Sequence, residues 1–214
     1  MKISLKRVLA FLAATFALQV GDGYAQEAPD VLIKRVSEEV LAIAKTDKQI
    51  QAGNQERIME VVRAKVLPHV NFQRMTQLTA GRYWREATPE QQQSLTNEFK
   101  ALLIYTYAGA VAQIRNQTLE FKPMRAAPDD TEVEVRTAVI QSRGEPIQLN
   151  YRLEKGPTGW KIVDVNILGA WLVQTYRNSF AAEIQKGGID GLIKTLAERN
   201  KQLSANPPKP VLKS

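Results

Sequence analysis

Between Glu132 and Ile167 the chain abandons a helical period for a strict alternation, and this constrains its fold more than any other feature. Val133, Val135, Thr137 and Val139 alternate with Glu132, Glu134, Arg136 and Ala138. Ile147, Leu149, Tyr151 and Leu153 alternate with Gln148, Asn150, Arg152 and Glu154. Side chains of a strand point alternately to its two faces, so each run is a strand with one buried and one wet face. Trp160 to Ile167 reads as a third strand, joined to the second through Lys155-Gly156-Pro157-Thr158-Gly159; Leu119 and Phe121 mark a shorter one before Pro123. Connections this short force antiparallel neighbours, because parallel pairing needs a long crossover. The expectation is an antiparallel sheet of about four strands.

Helical periods flank it. Leu32, Val36, Val40 and Ile43/Ala44 share one face of a first helix; Ile58, Val61, Val62 and Val66 share one face of a second, which stops at Pro68. Asn71 to Ala80 reads as a short helix closed by a left-handed cap at Gly81. Thr88-Pro89-Glu90-Gln91 supplies an N-cap, a proline at the first helical position and a capping-box partner, for a helix running to about Gln113. After the sheet, Leu172, Tyr176, Phe180 and Ile184 form one helix; Ile189, Leu192/Ile193 and Leu196 form another beyond the Gly187-Gly188 break. Helices, then strands, then helices indicate an α+β domain with helices gathered on one sheet face.

The address is written at the start. Lys2, Lys6 and Arg7 precede 13 uncharged, mostly apolar residues, Val8 to Val20, and Gly23-Tyr24-Ala25 places small residues at the −3 and −1 positions. This is the pattern of a secretory signal peptide over residues 1–25, too short for a membrane span, which needs about 20 apolar residues. The expected organisation is this signal, one α+β domain over 26–204, and a Pro-rich, disordered tail over 205–214. Loss of Lys2, Lys6, Arg7 and Asp22 leaves 26 of the 29 basic and 21 of the 22 acidic side chains, a net charge of +5. An exported chain carrying that balance suits an anionic surface or acidic partner better than nucleic acid. With no cysteine, it must be held by packing alone.

Residues able to do covalent chemistry are few. His69 is the one histidine, without the companions a zinc or iron site requires, and there is no Gly-x-Ser-x-Gly elbow or phosphate-binding glycine loop. No catalytic residue, metal or cofactor is expected. Asp164, on a strand face expected to include Trp160, Ile162 and Asn166, is the one candidate for a base of raised pKa, with an ion pair or a cap as the plainer role. The apolar residues are more informative. Ala101 to Ala112 carries no charge on any side, so that part of the helix is buried all round, and Ala108-Gly109-Ala110 removes side-chain volume from it. The missing volume is either close packing or the wall of a cavity.

The stretch from Val70 through Gly81-Arg82-Tyr83-Trp84-Arg85-Glu86-Ala87-Thr88-Pro89, the pair Tyr107-Ala108, and Trp160 to Gly169 running into Ala170 to Phe180 together resemble the MlaC, or toluene-tolerance, family. Gly188-Ile189-Asp190-Gly191-Leu192-Ile193 closes the match, which spans roughly Pro29 to Leu203. Ala170 and Trp171 depart from the serine and valine expected there. The resemblance implies a sheet of the nuclear transport factor-like type covered by helices that enclose an apolar lipid cavity. It implies a periplasmic phospholipid carrier, monomeric, serving an outer-membrane lipoprotein–porin complex and an inner-membrane ABC transporter, with bound phospholipid as cargo. It also turns the charge-free helix into a cavity wall. The implied lipid contacts are Phe99, Leu102, Leu103, Tyr105, Ala108, Gly109 and Val111 from that helix and Val135, Val139, Leu149 and Tyr151 from the sheet. Ile162, Val163, Val165 and Ile167 on the last strand and Leu172 and Tyr176 beyond it complete the set. Arg82, Arg85 and Arg177 are the basic residues expected near its mouth. Competing readings are an isomerase or hydrolase built on Asp164 with a tyrosine such as Tyr151, and a lipid-free adaptor.

Overall fold

A computed structural model describes residues 26–208 apart from 128 and 143; the expected signal segment, 1–25, and the end of the expected tail, 209–214, lie outside the described residues. The elements are α1 (Pro29–Thr46), α2 (Lys48–Gln51), α3 (Gln55–Lys65), α4 (Phe72–Ala80), α5 (Pro89–Tyr107), β1 (Thr118–Phe121), β2 (Glu132–Ile140), β3 (Ile147–Gly156), β4 (Gly159–Ile167), β5 (Ala170–Trp171) and α6 (Leu172–Ala205). The five strands form one antiparallel sheet in the order β1-β2-β3-β4-β5. Chain order and spatial order coincide, as the short connections require.

Local chemistry fixes the helix starts. Asp47 accepts from the backbone N–H groups of Gln49 and Ile50 and opens α2, which the hydrophobic pattern had not distinguished from its neighbours. Asn71 accepts from the N–H of Arg74 at the start of α4. At α5, Gln91 N–H donates to Thr88 Oγ1 while Thr88 N–H donates to Gln91 Oε1, so the expected capping box is present. Gly81 ends α4 with φ 60° and ψ −125°, a positive-φ conformation but not the left-handed helical one expected. The helix opened by Thr88 changes character at Ala108: residues Ala108–Gln113 form a 3-10 turn. Gly188, at φ 70° and ψ −173°, breaks α6 where the glycine pair predicts.

One irregularity in the sheet reverses an expectation. Leu153 pairs with Ile162 but Arg152 pairs with Asp164, so Val163 is an extra residue, a β-bulge. A single inserted residue flips every later side chain to the other face. Asp164 and Asn166 therefore do not share a face with Trp160 and Ile162; they lie with Arg152 and Asn150 on the outer side. Ile162, Val165 and Ile167 lie with Leu149, Tyr151 and Leu153 on the inner side.

Two apolar clusters cover that inner side, and a third lies among the helices. Leu32, Ile33 and Val36 of α1 pack on Val133, Val135, Leu153 and Ile162. Leu95, Phe99, Leu102 and Leu103 of α5 pack with Met75, Trp84, Leu172, Phe180 and Leu192, reaching Val165 and Ile167. A third group joins Ala44, Ile50, Ile58, Val61 and Val62 to Ala108. Clusters of this kind supply most of the folding free energy, at about 25 cal/mol per Å² of apolar surface buried.

Candidate functional site

The helices do not fill the space over the sheet. Between α1, the 3-10 turn Ala108–Gln113, and strands β1 to β4 lies a cavity of about 480 Å³. Its sides are Ile33, Val36, Val40 and Leu41 of α1, with Val66 beyond α3; Ala110, Val111, Ala112 and Ile114 form the opposite wall. Its floor is Leu119, Val139, Ile147, Leu149, Tyr151 and Ile162. Polar groups are confined to Ser37, Gln113, Arg115, Gln117, Gln141 and the Tyr151 hydroxyl. The volume falls within the roughly 300–1,000 Å³ of small-molecule pockets, and the lining is apolar with a few polar groups, as such pockets are.

Sequence spacing explains why a cavity stays open here. On β3, Leu153 is 0 % exposed beneath α1, whereas Leu149, four residues along the same face, is half-buried. On β2, Val135 is 2 % exposed and Val139 half-buried. One end of the sheet is packed by α1; at the other, small residues of the 3-10 turn stand where larger ones would meet the floor. The Ala108-Gly109-Ala110 step thus does two things. Ala108 packs closely against α3 residues, and Ala110 with Ala112 leaves the cavity wall recessed.

Five of the residues singled out from sequence line this cavity: Val111, Val139, Leu149, Tyr151 and Ile162. The other twelve lie elsewhere. Phe99, Leu102, Leu103 and Leu172 are interior to the α5–α6 cluster, with Tyr176, Val165 and Ile167 packed against it. Phe99 meets the rings of Tyr176 and Phe180 edge-on, at 5.2 and 4.9 Å. Val135 belongs to the α1–sheet cluster, Ala108 to the α3 cluster, and Val163 is the buried bulge residue. Tyr105 and Gly109 are half-buried outside the cavity. Sequence reasoning missed the α1 side, although its signal was present. Ile33, Val36, Val40 and Leu41 spread over a wider apolar arc than packing on one strand pair needs.

Burial pushes the Tyr151 phenol up to about 12, with the Ser37 and Thr137 hydroxyls opposing the shift. It is therefore neutral at physiological pH. Asp164 is 2 % exposed, and burial raises its pKa against the lowering effect of two backbone N–H donors and Arg152. Those donors are Val165 and Val173, 2.9 and 3.0 Å from Oδ1. Val173 is in the first turn of α6, a helix whose own N-cap residue, Trp171, offers no side-chain acceptor. Asp164 is thus the cap of α6, held also by Arg152 at 3.5 Å. It faces away from Tyr151 across the sheet, so the two cannot act on one substrate.

Ala170 and Trp171 form β5, and the Trp171 ring carries the Arg152 guanidinium at 4.3 Å; neither lines the cavity. The basic residues expected at the mouth also lie elsewhere. Arg82 sits over the Tyr83 ring, Arg177 donates to Leu78 O, and Arg85 is exposed after α4. His69 ends a 3-10 turn, its pKa lowered by burial and by Arg35 and Lys161. Among the described residues no three His, Asp or Glu side chains come together as a metal site, and no helix is long and apolar enough to cross a membrane.

The family model described as "MlaC protein" matches residues 34–198. The chain belongs to the MlaC family. A Haemophilus influenzae protein named intermembrane phospholipid transport system binding protein MlaC is 23 % identical over 91 % of this chain and 92 % of its own. A Pseudomonas putida protein named toluene tolerance protein ttg2D is 27 % identical over 98 % of both. Among solved structures, a phospholipid-binding protein from Ralstonia solanacearum in complex with a phospholipid superposes with a TM-score of 0.77 at 49 % identity. That match covers 82 % of this chain and 98 % of the other.

Proposed function

We propose that this protein is a periplasmic phospholipid carrier that holds acyl chains in the cavity between α1 and the sheet. The observation that carries the reading is the cavity itself: about 480 Å³ of half-open space walled mostly by aliphatic side chains in an otherwise packed domain. Apolar walls of this extent left facing water are unfavourable, so a pocket of this size calls for an apolar occupant. Kinship to proteins named for phospholipid transport, and to a structure that holds a phospholipid, supports the choice of occupant.

The need for a carrier follows from the hydrophobic effect. At about 0.8 kcal/mol per methylene, exposing two chains of ordinary length costs on the order of 20 kcal/mol, which forbids unaided passage across an aqueous gap. Carriage needs a cavity and a way in, and neither a nucleophile nor a metal. Its partners in this reading are an outer-membrane lipoprotein–porin complex and an inner-membrane ABC transporter complex, with the carrier monomeric between them. Val111, Val139, Leu149, Tyr151 and Ile162, with Val36, Val40 and Leu41 of α1, contact the chains. Native mass spectrometry of the exported protein, purified without detergent, should show an adduct of phospholipid mass. A lipid-free spectrum, under conditions that keep a related carrier loaded, contradicts the proposal and favours the adaptor reading.

A further inference from the structure

The cavity has a charged point. Among its described lining residues Arg115 is the one side chain with a formal charge. It follows the 3-10 turn, and the turn holds it. Nη1 donates to Ala112 O and Ile114 O, both at 2.7 Å, and Nη2 donates to Gln51 O at 3.1 Å. Three carbonyl contacts fix the position of the guanidinium but do not neutralise it. Arg35, Arg57, Arg74 and Arg152, by contrast, each pair with a carboxylate. Among the described residues no carboxylate lies within ion-pair distance of Arg115. A guanidinium carries five N–H donors, so the Nε–H and one Nη2–H remain without a protein acceptor. Gln117 and Gln141 stand with it in the lining, both uncharged polar side chains. This end of the cavity is therefore polar and positive, and the walls leading from it are aliphatic.

We infer that Arg115 receives the phosphodiester of the bound lipid, so that the carrier distinguishes a phosphorylated glycerolipid from the same diacylglycerol without phosphate. The inference rests on the carrier reading and adds a headgroup contact to it. A planar, permanently charged donor already held in place loses little freedom on meeting an oxyanion, and an adjoining apolar wall strengthens the attraction relative to open water. Arg115 is exposed, so the contact is modest, as befits a ligand that must be released. It selects the cargo, and acyl burial supplies most of the affinity.

The test compares two lipids with identical chains, dioleoyl phosphatidylglycerol and dioleoylglycerol, competing for the delipidated protein with native mass spectrometry as the readout. The unmutated protein should prefer the phosphorylated lipid by roughly fivefold. Raising salt from about 0.05 to 0.5 M should shrink that preference, because the Debye length falls severalfold. Arg115→Gln should abolish the preference by weakening phosphatidylglycerol far more than dioleoylglycerol, and Arg115→Lys should retain part of it. No preference in the unmutated protein overturns the inference, as does a preference insensitive to both salt and the Arg115→Gln change. If Arg115→Gln weakens both lipids equally, the side chain only supports the turn, and the inference also falls. Binding of neither lipid to the unmutated protein overturns the carrier reading itself.

Discussion

Val135 and Val139 stand on the same face of β2, four residues apart, and replacing each by phenylalanine gives opposite outcomes if the space beside Val139 is a ligand cavity. Val135 is 2 % exposed beneath α1. A larger ring there overpacks a filled core, which costs about 1–3 kcal/mol and a lowered Tm. Val139 borders the open cavity, and phenylalanine adds about four carbon atoms that the cavity accepts in the lipid-free protein. Those atoms occupy space the cargo needs. Displacing a similar number of methylenes, at about 0.8 kcal/mol each, costs about 3 kcal/mol of lipid affinity, roughly a hundredfold in Kd. Thermal denaturation of the delipidated variants, with lipid occupancy of the same preparations by native mass spectrometry, separates the two effects. Val135→Phe should melt early, and Val139→Phe should keep its Tm while losing its lipid. A Val139→Phe protein that melts as early as Val135→Phe and keeps full occupancy refutes the reasoning.

Two further substitutions test the groups around the site. Asp164→Ala removes the acceptor for Val173 N–H and should cost about 2 kcal/mol of stability, whereas Asp164→Asn keeps the acceptor and should cost little near neutrality. Because burial raises the folded pKa of Asp164 above its ordinary 3.8, the folded state binds the proton more tightly. The stability of wild type relative to Asp164→Asn should be greatest below 3.8 and fall as pH rises through the raised value, in paired denaturant titrations. A relative stability that instead climbs with pH contradicts the assigned sign. Gln113 Oε1 is buried without a hydrogen-bond partner among the described residues. Gln113→Met, which removes that acceptor at similar size, should leave the lipid-free protein as stable or raise its Tm; a loss above about 1 kcal/mol means that the amide is satisfied after all.

Much of the fold was legible because period and punctuation agreed. The alternation of Val133 to Val139 and Ile147 to Leu153, joined by short turns, is enough to specify antiparallel neighbours, and the Thr88–Gln91 pair to start α5. β5 escaped notice because two residues carry no period, and Asp164 was set on the wrong face because a bulge leaves no mark in an alternating pattern. The site was less legible, for a physical reason. Periodicity tells which side chains leave water, but packed cores and ligand cavities both exclude water and are lined by the same residue types. Phe99, Leu102 and Tyr176 satisfy an apolar pattern as well as Leu149 and Val139 do, and only the three-dimensional distance between α1 and the sheet separates them. The same reason hid Arg115: a lone arginine after a helix is unremarkable until the cavity beside it is seen.

The central claim, that the acyl chains lie between α1 and the sheet, is tested most directly by a phospholipid bearing a photoreactive group midway along one chain. After loading, irradiation and digestion, peptide mass spectrometry maps the attachment. The account predicts label on peptides carrying Val36 to Leu41, Ala110 to Ile114 or Ile147 to Tyr151. Label concentrated instead on the α5–α6 cluster, at Phe99, Leu103 or Tyr176, would contradict it and place the cargo among side chains that pack against one another.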